Sequence, residues 1–187
     1  MKTQESPYAF EELSSENQGK KEKIFSQPIQ AVDLEKISGI EELVEAFSGA
    51  SIQARNIGTC AKVWGKMLTD PDRPTIFLGL AGPLIAAGLR KVIRDMVHYG
   101  LVDVIVSTGA ILYQDIYQAK GFKHYRGDAE ADDCVLRDLY IDRIYDTDVD
   151  EEQFWKLDCS IGRFADTVAP GKYSSRQFLA EIAKTLK

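Results

Sequence analysis

The chain's apolar residues fall into two kinds of pattern, one spaced for helices and one packed into short continuous runs. From Ile57 the apolar positions are Ile57, Cys60, Ala61, Trp64, Met67 and Leu68, the three-to-four spacing of one helix face. Arg55, Thr59, Lys62 and Lys66 occupy the opposite, solvated side. A weaker amphipathic pattern runs from Ile37 to Phe47. The run Asp70-Pro71-Asp72-Arg73-Pro74 then ends helical structure, because proline lacks the N–H that a helix needs and restricts the residue before it.

Two continuous apolar runs follow. Thr75 to Leu78 and Val102 to Val106 have the length and composition of buried parallel strands. Between them, Gly79-Leu80-Ala81-Gly82 makes a turn and Pro83 suits the first position of a helix. Ile85, Leu89, Val92, Ile93, Met96 and Val97 give that helix an apolar face, and Gly100 stops it. The unit is strand–helix–strand, with a right-handed crossover expected. Both strands therefore deliver their following loops, Ala81-Gly82-Pro83 and Ser107-Thr108-Gly109-Ala110, to one edge of a sheet. Open parallel sheets bind ligands at that edge, and a helix N-terminus there favours an anion. Glycine turns also serve any tight strand-to-helix connection, so the geometry leaves both readings open. The spacing is neither a GxGxxG fingerprint nor a Walker loop.

Elsewhere the pattern is thinner. Residues 1–30 are rich in Lys, Glu, Ser and Gln, with Tyr8, Phe10 and Phe25 scattered among them, and read as a mobile arm able to dock through its aromatics. Tyr140 to Tyr145 suits a third strand. Ser174 to Leu186 suits a helix capped by Ser175, with Phe178, Leu179 and Ile182 on its face. Three strands make a small sheet for a doubly wound fold, which points to further polypeptide completing it.

Composition narrows the function classes. The chain has 187 residues and a formal charge of −6, which disfavours nucleic-acid and anionic-membrane surfaces. Cys60, Cys134 and Cys159 are widely separated, with no metal-ligand spacing, and suit partly buried free thiols in a cytoplasmic protein. No apolar run approaches the ~20 residues of a membrane helix.

Several constellations are weighed against plainer readings. Asp146, Asp148 and Asp150 imitate a calcium loop, but Glu151 and Leu157 stand where it needs Gly and Glu. These acids suit the start of a helix through Phe154 and Trp155, with Asp148 and Glu151 at capping-box spacing. His98 falls in a helix's last turn. His124 lies in a polar-aromatic loop and is either structural or ligand-facing. Asp128, Glu130, Asp132 and Asp133 suit a solvated face, with a polyamine as the alternative.

The ordered segments together resemble deoxyhypusine synthase. Gln53-Ala54 with Gly58 comes first, then Ile76-Phe77-Leu78-Gly79 running to Leu84-Ile85-Ala86-Ala87-Gly88-Leu89-Arg90. Val102 to Gly109 followed by Asp115, then Ile141-Asp142-Arg143-Ile144 and Ser174-Ser175-Arg176-Gln177-Phe178, continue the likeness. It covers about residues 37 to 187. The resemblance implies an α/β, Rossmann-like fold, with a mostly parallel sheet flanked by helices, and an NAD-binding-type domain over residues 31–187. It also implies a tetramer-type assembly with active sites between subunits. That family uses NAD to oxidise spermidine and passes the aminobutyl group, by way of its own lysine, to a lysine of the hypusine-bearing translation initiation factor. By position, Ala81, Gly82, Pro83, Ala86, Thr108, Gly109 and Ala110 match cofactor-contacting residues, and Gln114 stands where an acidic contact is common.

Two departures shape the expectation. Ala81-Gly82-Pro83 replaces a frequent Thr-Ser-Asn run and so loses side-chain hydrogen-bonding groups, while Gln114 lacks a carboxylate's charge. The family's nucleophilic lysine and polyamine pocket belong to a C-terminal half that is missing here, so no catalytic residue is assigned to this chain. Trp64-Gly65-Lys66 imitates the nucleophile's surroundings, but Lys66 lies on the polar side of a helix before the first strand, without the desolvation that activates a lysine. The expectation is the cofactor-side portion of a transferase that works with a complementary half or second subunit. The alternatives are a non-catalytic regulatory subunit and a homospermidine-synthase-like polyamine transferase.

Overall fold

The computed structural model describes residues 12–186, so Tyr8 and Phe10, two of the aromatics assigned to the arm, lie outside the described residues. The chain divides into two compact units, residues 1–73 and 74–187. The division falls within the Asp70–Pro74 helix break, where Arg73 adopts a left-handed φ of 48°.

The first unit is helical. α1 (Ser15–Ile24) begins at Ser14, whose hydroxyl accepts from the Asn17 N–H, and it buries no residue. α2 (Ile40–Gly49) starts three residues later than the apolar pattern suggests. The Glu42 carboxylate holds the entry, accepting from the Ser38 and Gly39 N–H groups and the Ser38 hydroxyl. The Ser38 hydroxyl and N–H bonds lower the Glu42 pKa below the ordinary carboxylate value. α3 (Ile52–Thr69) packs on α2 at Gly58, its one buried residue. A Cβ there would lie 2.6 Å from the Ser48 backbone nitrogen, so the close approach requires glycine. The expected α3 stripe is only partly covered: Trp64, Met67 and Leu68 are half-buried, while Ile57, Cys60 and Ala61 are exposed. Lys62, expected on the solvated side, pairs with Glu45 of α2 at 2.7 Å.

The second unit holds two separate sheets. β1 (Phe77–Leu80) and β2 (Val104–Ser107) pair in parallel, Phe77 opposite Val104 and Leu80 opposite Ser107. Asp103 fixes the lower end, its carboxylate accepting from the Ile76 N–H at 2.8 Å. The crossover is not the continuous helix expected from Pro83. A wide turn over Ile85–Leu89 closes with a bond from the Leu89 N–H to the Leu84 carbonyl, and Gly88 breaks it at a φ of 85°. The regular helix α4 starts at Arg90 and ends at His98, which occupies the last turn as expected. α5 (Gly109–Ala119) begins directly after β2.

The third strand is displaced from its expected place. β4 (Ile141–Ile144) lies in an antiparallel sheet of order β3–β5–β4, with β3 (Tyr125–Arg126) and β5 (Thr147–Asp150), and not beside β1 or β2. Only two residues separate β4 from β5, too few for the crossover a parallel pair needs. β5 absorbs Asp148 and Asp150, so Asp150, not Asp148, caps α7 (Glu151–Thr167), accepting from the Gln153 N–H at 3.2 Å. Likewise Ser174, not Ser175, caps α8 (Ser175–Ala183), in a reciprocal pair with Gln177.

The second unit's core joins α5, β5 and α7. Tyr117, Val149 and Leu157 are fully buried, with Ile116, Phe122, Ile144, Phe154 and Ile161 packed around them. The Tyr117 hydroxyl donates to Gln153 Oε1 at 2.9 Å. Burial, then the Asp150 charge, pushes the Tyr117 pKa up to about 12. Burial and the Asp158 carboxylate, which accepts from the Tyr113 hydroxyl at 2.8 Å, raise the Tyr113 pKa as well.

Candidate functional site

The residues expected to contact a cofactor do gather at one place. β1 and β2 run in parallel and in register, so their outgoing loops leave from the same sheet edge. The Thr108 N–H bonds the Leu80 carbonyl at 3.2 Å, joining the two strands at that edge. Ala81, Gly82, Pro83, Thr108, Gly109 and Ala110 are exposed there, and Ala86 is half-buried. Gly82 has a φ of 77°, a conformation that costs a side chain energy. At Gly82 and at Gly109 the space beside Cα is open, with no atom within 4 Å of where a Cβ would stand. The edge is therefore a surface of backbone and small side chains with room above it.

Gln114 takes a different part from the one its sequence position suggests. It is 7% exposed, and its Oε1 accepts from the Ala86 N–H at 3.3 Å. It reaches from α5 to the turn after β1 and ties the two together, so its amide oxygen is turned onto a backbone N–H of its own chain. Arg90 and Asp115 form a second tie, from α4 to α5, with Nε 2.5 Å from Oδ1. Sequence reasoning assigned neither residue a role. Each stood in a motif of the resemblance, but a pair 25 residues apart leaves no local signal.

Electrostatically the edge rests on α5. The first N–H groups of any helix lack intrahelical partners and sit at the positive end of its dipole. Thr108 supplies no side-chain cap to α5, so these groups stand at the loop. The equivalent argument fails after β1. Gly88 interrupts the turn before α4, and the Ala86 N–H is taken by Gln114. The anion-favouring end is that of α5, not one at Pro83.

Other candidates resolve into structural roles. His124 packs against the Tyr117 ring at 5.3 Å, its Nδ1 2.8 Å from Gln118 Nε2, and burial lowers its pKa. Asp132 caps α6 (Asp133–Asp138), Asp128 accepts from the Glu130 N–H, and Asp133 pairs with Arg143. Arg143 also donates to the carbonyls of Ala129 and Tyr145, which pins the acidic loop to the hairpin. Three of the four clustered acids are thus bound within their own chain. Among the described residues no group of three or more His, Cys, Asp or Glu side chains is placed to hold a metal. Cys60 and Cys134 are exposed rather than partly buried, and Cys159 is half-buried; all three are free thiols. No described helix is long and apolar enough to cross a membrane. Lys66 is exposed on α3.

A parallel strand pair flanked by helices, with its loops gathered at one edge, defines an α/β fold of the Rossmann-like class. The sequence model of the family described as deoxyhypusine synthase matches residues 42–187, and the chain belongs to that family. It is 42% identical over 179 residues to a deoxyhypusine synthase-like protein of Chlorobaculum tepidum, covering 95% of this chain and 49% of that protein. It is 40% identical over 173 residues to a deoxyhypusine synthase-like protein of Elusimicrobium minutum, covering 90% and 46%. A probable deoxyhypusine synthase 2 of Archaeoglobus fulgidus is 39% identical over 134 residues, covering 72% and 44%. The chain thus spans about half the length of the curated relatives it matches.

Proposed function

We propose that this chain supplies the NAD-side wall of a cytoplasmic, deoxyhypusine-synthase-type aminobutyl transferase, completed by a complementary half that carries the catalytic lysine. The observation that carries this reading is the gathering of the β1 and β2 loops at one edge, fastened by Gln114 to Ala86. Family membership makes a transferase the expected chemistry. Bound NAD would accept a hydride from spermidine and return it later. This chain's part is to bind and orient. The α5 N-terminus, with the Gly109 and Ala110 amides, would receive the pyrophosphate, and the open glycines would let it approach the backbone. Ala81, Gly82, Pro83, Ala86 and Thr108 would form the surrounding wall. The fit is one of backbone and space, since Ala81-Gly82-Pro83 brings no side-chain donor. The acceptor would be the hypusine-bearing translation initiation factor, and the assembly tetramer-like, both by resemblance.

One observation favours a second reading. With Gln114 turned onto the Ala86 N–H and no polar side chain at residues 81–83, the edge also suits a non-catalytic subunit that assembles without cofactor. A single experiment separates the two. The chain is combined with a polypeptide corresponding to the unmatched half of the C. tepidum relative. NAD binding is followed by calorimetry, and label transfer from spermidine to the initiation factor is followed directly. NAD-dependent transfer, weakened at least tenfold by Ala110→Asp, is expected; assembly without saturable NAD binding would establish the regulatory reading instead. Transfer to a free polyamine rather than the factor would indicate homospermidine-synthase-like chemistry.

A further inference from the structure

A cleft opens between α4 and α5 on one face of the β1–β2 sheet. Side chains alternate along a strand, and Leu80 lies opposite Ser107 in the register, so Leu80, Ile105 and Ser107 share that face. The cleft has a volume of about 540 Å³ and an apolar floor of Leu80, Ile85, Ile93, Val97, Ile105 and Ile111. That volume is within the range of small-molecule sites. Ile85 and Ile111 are buried at its base, whereas Val97 is 53% exposed at its mouth. No residue assigned to the cofactor edge lines this cleft, so it is a separate site and the functional reading does not bear on it.

The polar wall of the cleft is cationic. Arg90, Lys91, Arg94 and His98 line it from α4, and Asp115 of α5 is the single carboxylate among them. The chain as a whole carries a formal charge of −6, so this concentration runs against its balance. Arg90 gives only its Nε to Asp115, at 2.5 Å, which leaves both Nη groups for another acceptor. Arg94 is turned to the neighbouring Asp95. Lys91 is exposed and has no ion-pair partner among the described residues. Both arginine pairs are open to solvent, where such pairs bind weakly and exchange partners at little cost.

An apolar floor below a cationic wall matches a ligand that is apolar along its length and anionic at one end. We propose that this cleft binds a single-chain amphipathic anion, an alkyl carboxylate or alkyl phosphate. The chain lies on Leu80, Ile93, Val97 and Ile105, and the head meets Lys91 and the Nη groups of Arg90. Other ligands satisfy only half of the site. An inorganic anion leaves the floor in water, an uncharged hydrocarbon leaves the cations unused, and a cationic amphiphile meets Lys91 with like charge.

The test is calorimetry on the full chain with decanoate as the probe. Saturable binding of one decanoate per chain is expected. Octanoate should bind about tenfold more weakly, since two fewer methylenes are buried, and decyltrimethylammonium at least tenfold more weakly. Lys91→Glu and Val97→Asp should each weaken decanoate at least tenfold. Both positions are exposed, so the melting temperature should stay within a few degrees of the parent. Two controls make the same chemical changes away from the cleft: Lys156→Glu on α7, and Val106→Asp on the opposite face of the sheet, where Val106 is 61% exposed. Both should bind decanoate as the parent does. Absence of saturable binding, equal affinity for the cationic amphiphile, or equal weakening by Val106→Asp and Val97→Asp would each overturn the proposal. Flotation with phosphatidylglycerol vesicles separates a bilayer from a free ligand. Lys91-dependent flotation without decanoate binding would assign the cationic wall to a membrane surface and likewise overturn it.

Discussion

The two sheets of the second unit meet the same physical demand in different ways. The antiparallel sheet buries Val149 of β5 against Tyr117 of α5 and Leu157 of α7, so its apolar face is covered from within the chain. The parallel pair has helices on one face and leaves Phe77 and Val106 in solvent on the other. A hairpin can be completed by local chain, because two residues suffice to turn it. A parallel sheet recruits each strand through a crossover and needs far more polypeptide. Local sequence can therefore finish one sheet and only begin the other.

The contrast is broken most directly in the core. Leu157→Ala should cost about 2–5 kcal/mol in urea unfolding, since it empties a fully buried site, whereas Val106→Ala in the isolated chain should stay within about 0.5 kcal/mol. Equal losses would show the parallel sheet's bare face to be buried in solution. Gly58→Ala should cost about 1–3 kcal/mol by overpacking α2 against α3, read as a lowered melting temperature without effect at the strand edge. Gln114→Leu should cost about 1–3 kcal/mol, because it leaves the half-buried Ala86 N–H without its acceptor. It should also speed hydrogen exchange at Ala86, and unchanged exchange there would remove Gln114 as the tie between the loops.

Two pH effects sharpen the same comparison. Tyr117 holds its proton more tightly folded than unfolded, so its contribution is complete below pH 10.0 and is lost as pH rises toward about 12. Ultraviolet titration should show tyrosinate forming late, together with unfolding of the antiparallel core; Tyr117→Phe should reduce that alkaline loss. His124 is shifted the other way. Its lowered pKa favours the neutral ring in the fold, so stability should decline as pH falls below the ordinary value of 6.5. The decline should be small and absent in His124→Phe.

Much of the site was legible because its signals are local. The apolar runs at Thr75–Leu78 and Val102–Val106, with glycine turns after each, place two parallel strands and their loops on one edge. The strands themselves sit two residues later than the first run suggests and end at Ser107 in the second. The break at Gly88 was less legible: an apolar helical face continues through it, and only the backbone reveals the left-handed residue. Gln114 reads as a ligand-facing side chain by position, yet folding turns its amide inward, onto a backbone N–H 28 residues away.

The sequence by itself determined α2, α3, α7 and α8 in outline, the parallel strand–helix–strand unit and the residues at its loop edge, because periodicity, proline and glycine act over a few neighbouring positions; it did not mark α1, α5 or α6 as helices. The tertiary structure decided the placement of β4, the capping by Asp150 where β5 takes up Asp148, the Gln114–Ala86 and Arg90–Asp115 ties, and which face of the parallel sheet stays bare. Those outcomes depend on competition between distant segments for the same hydrogen bonds and apolar surface, which no local pattern records.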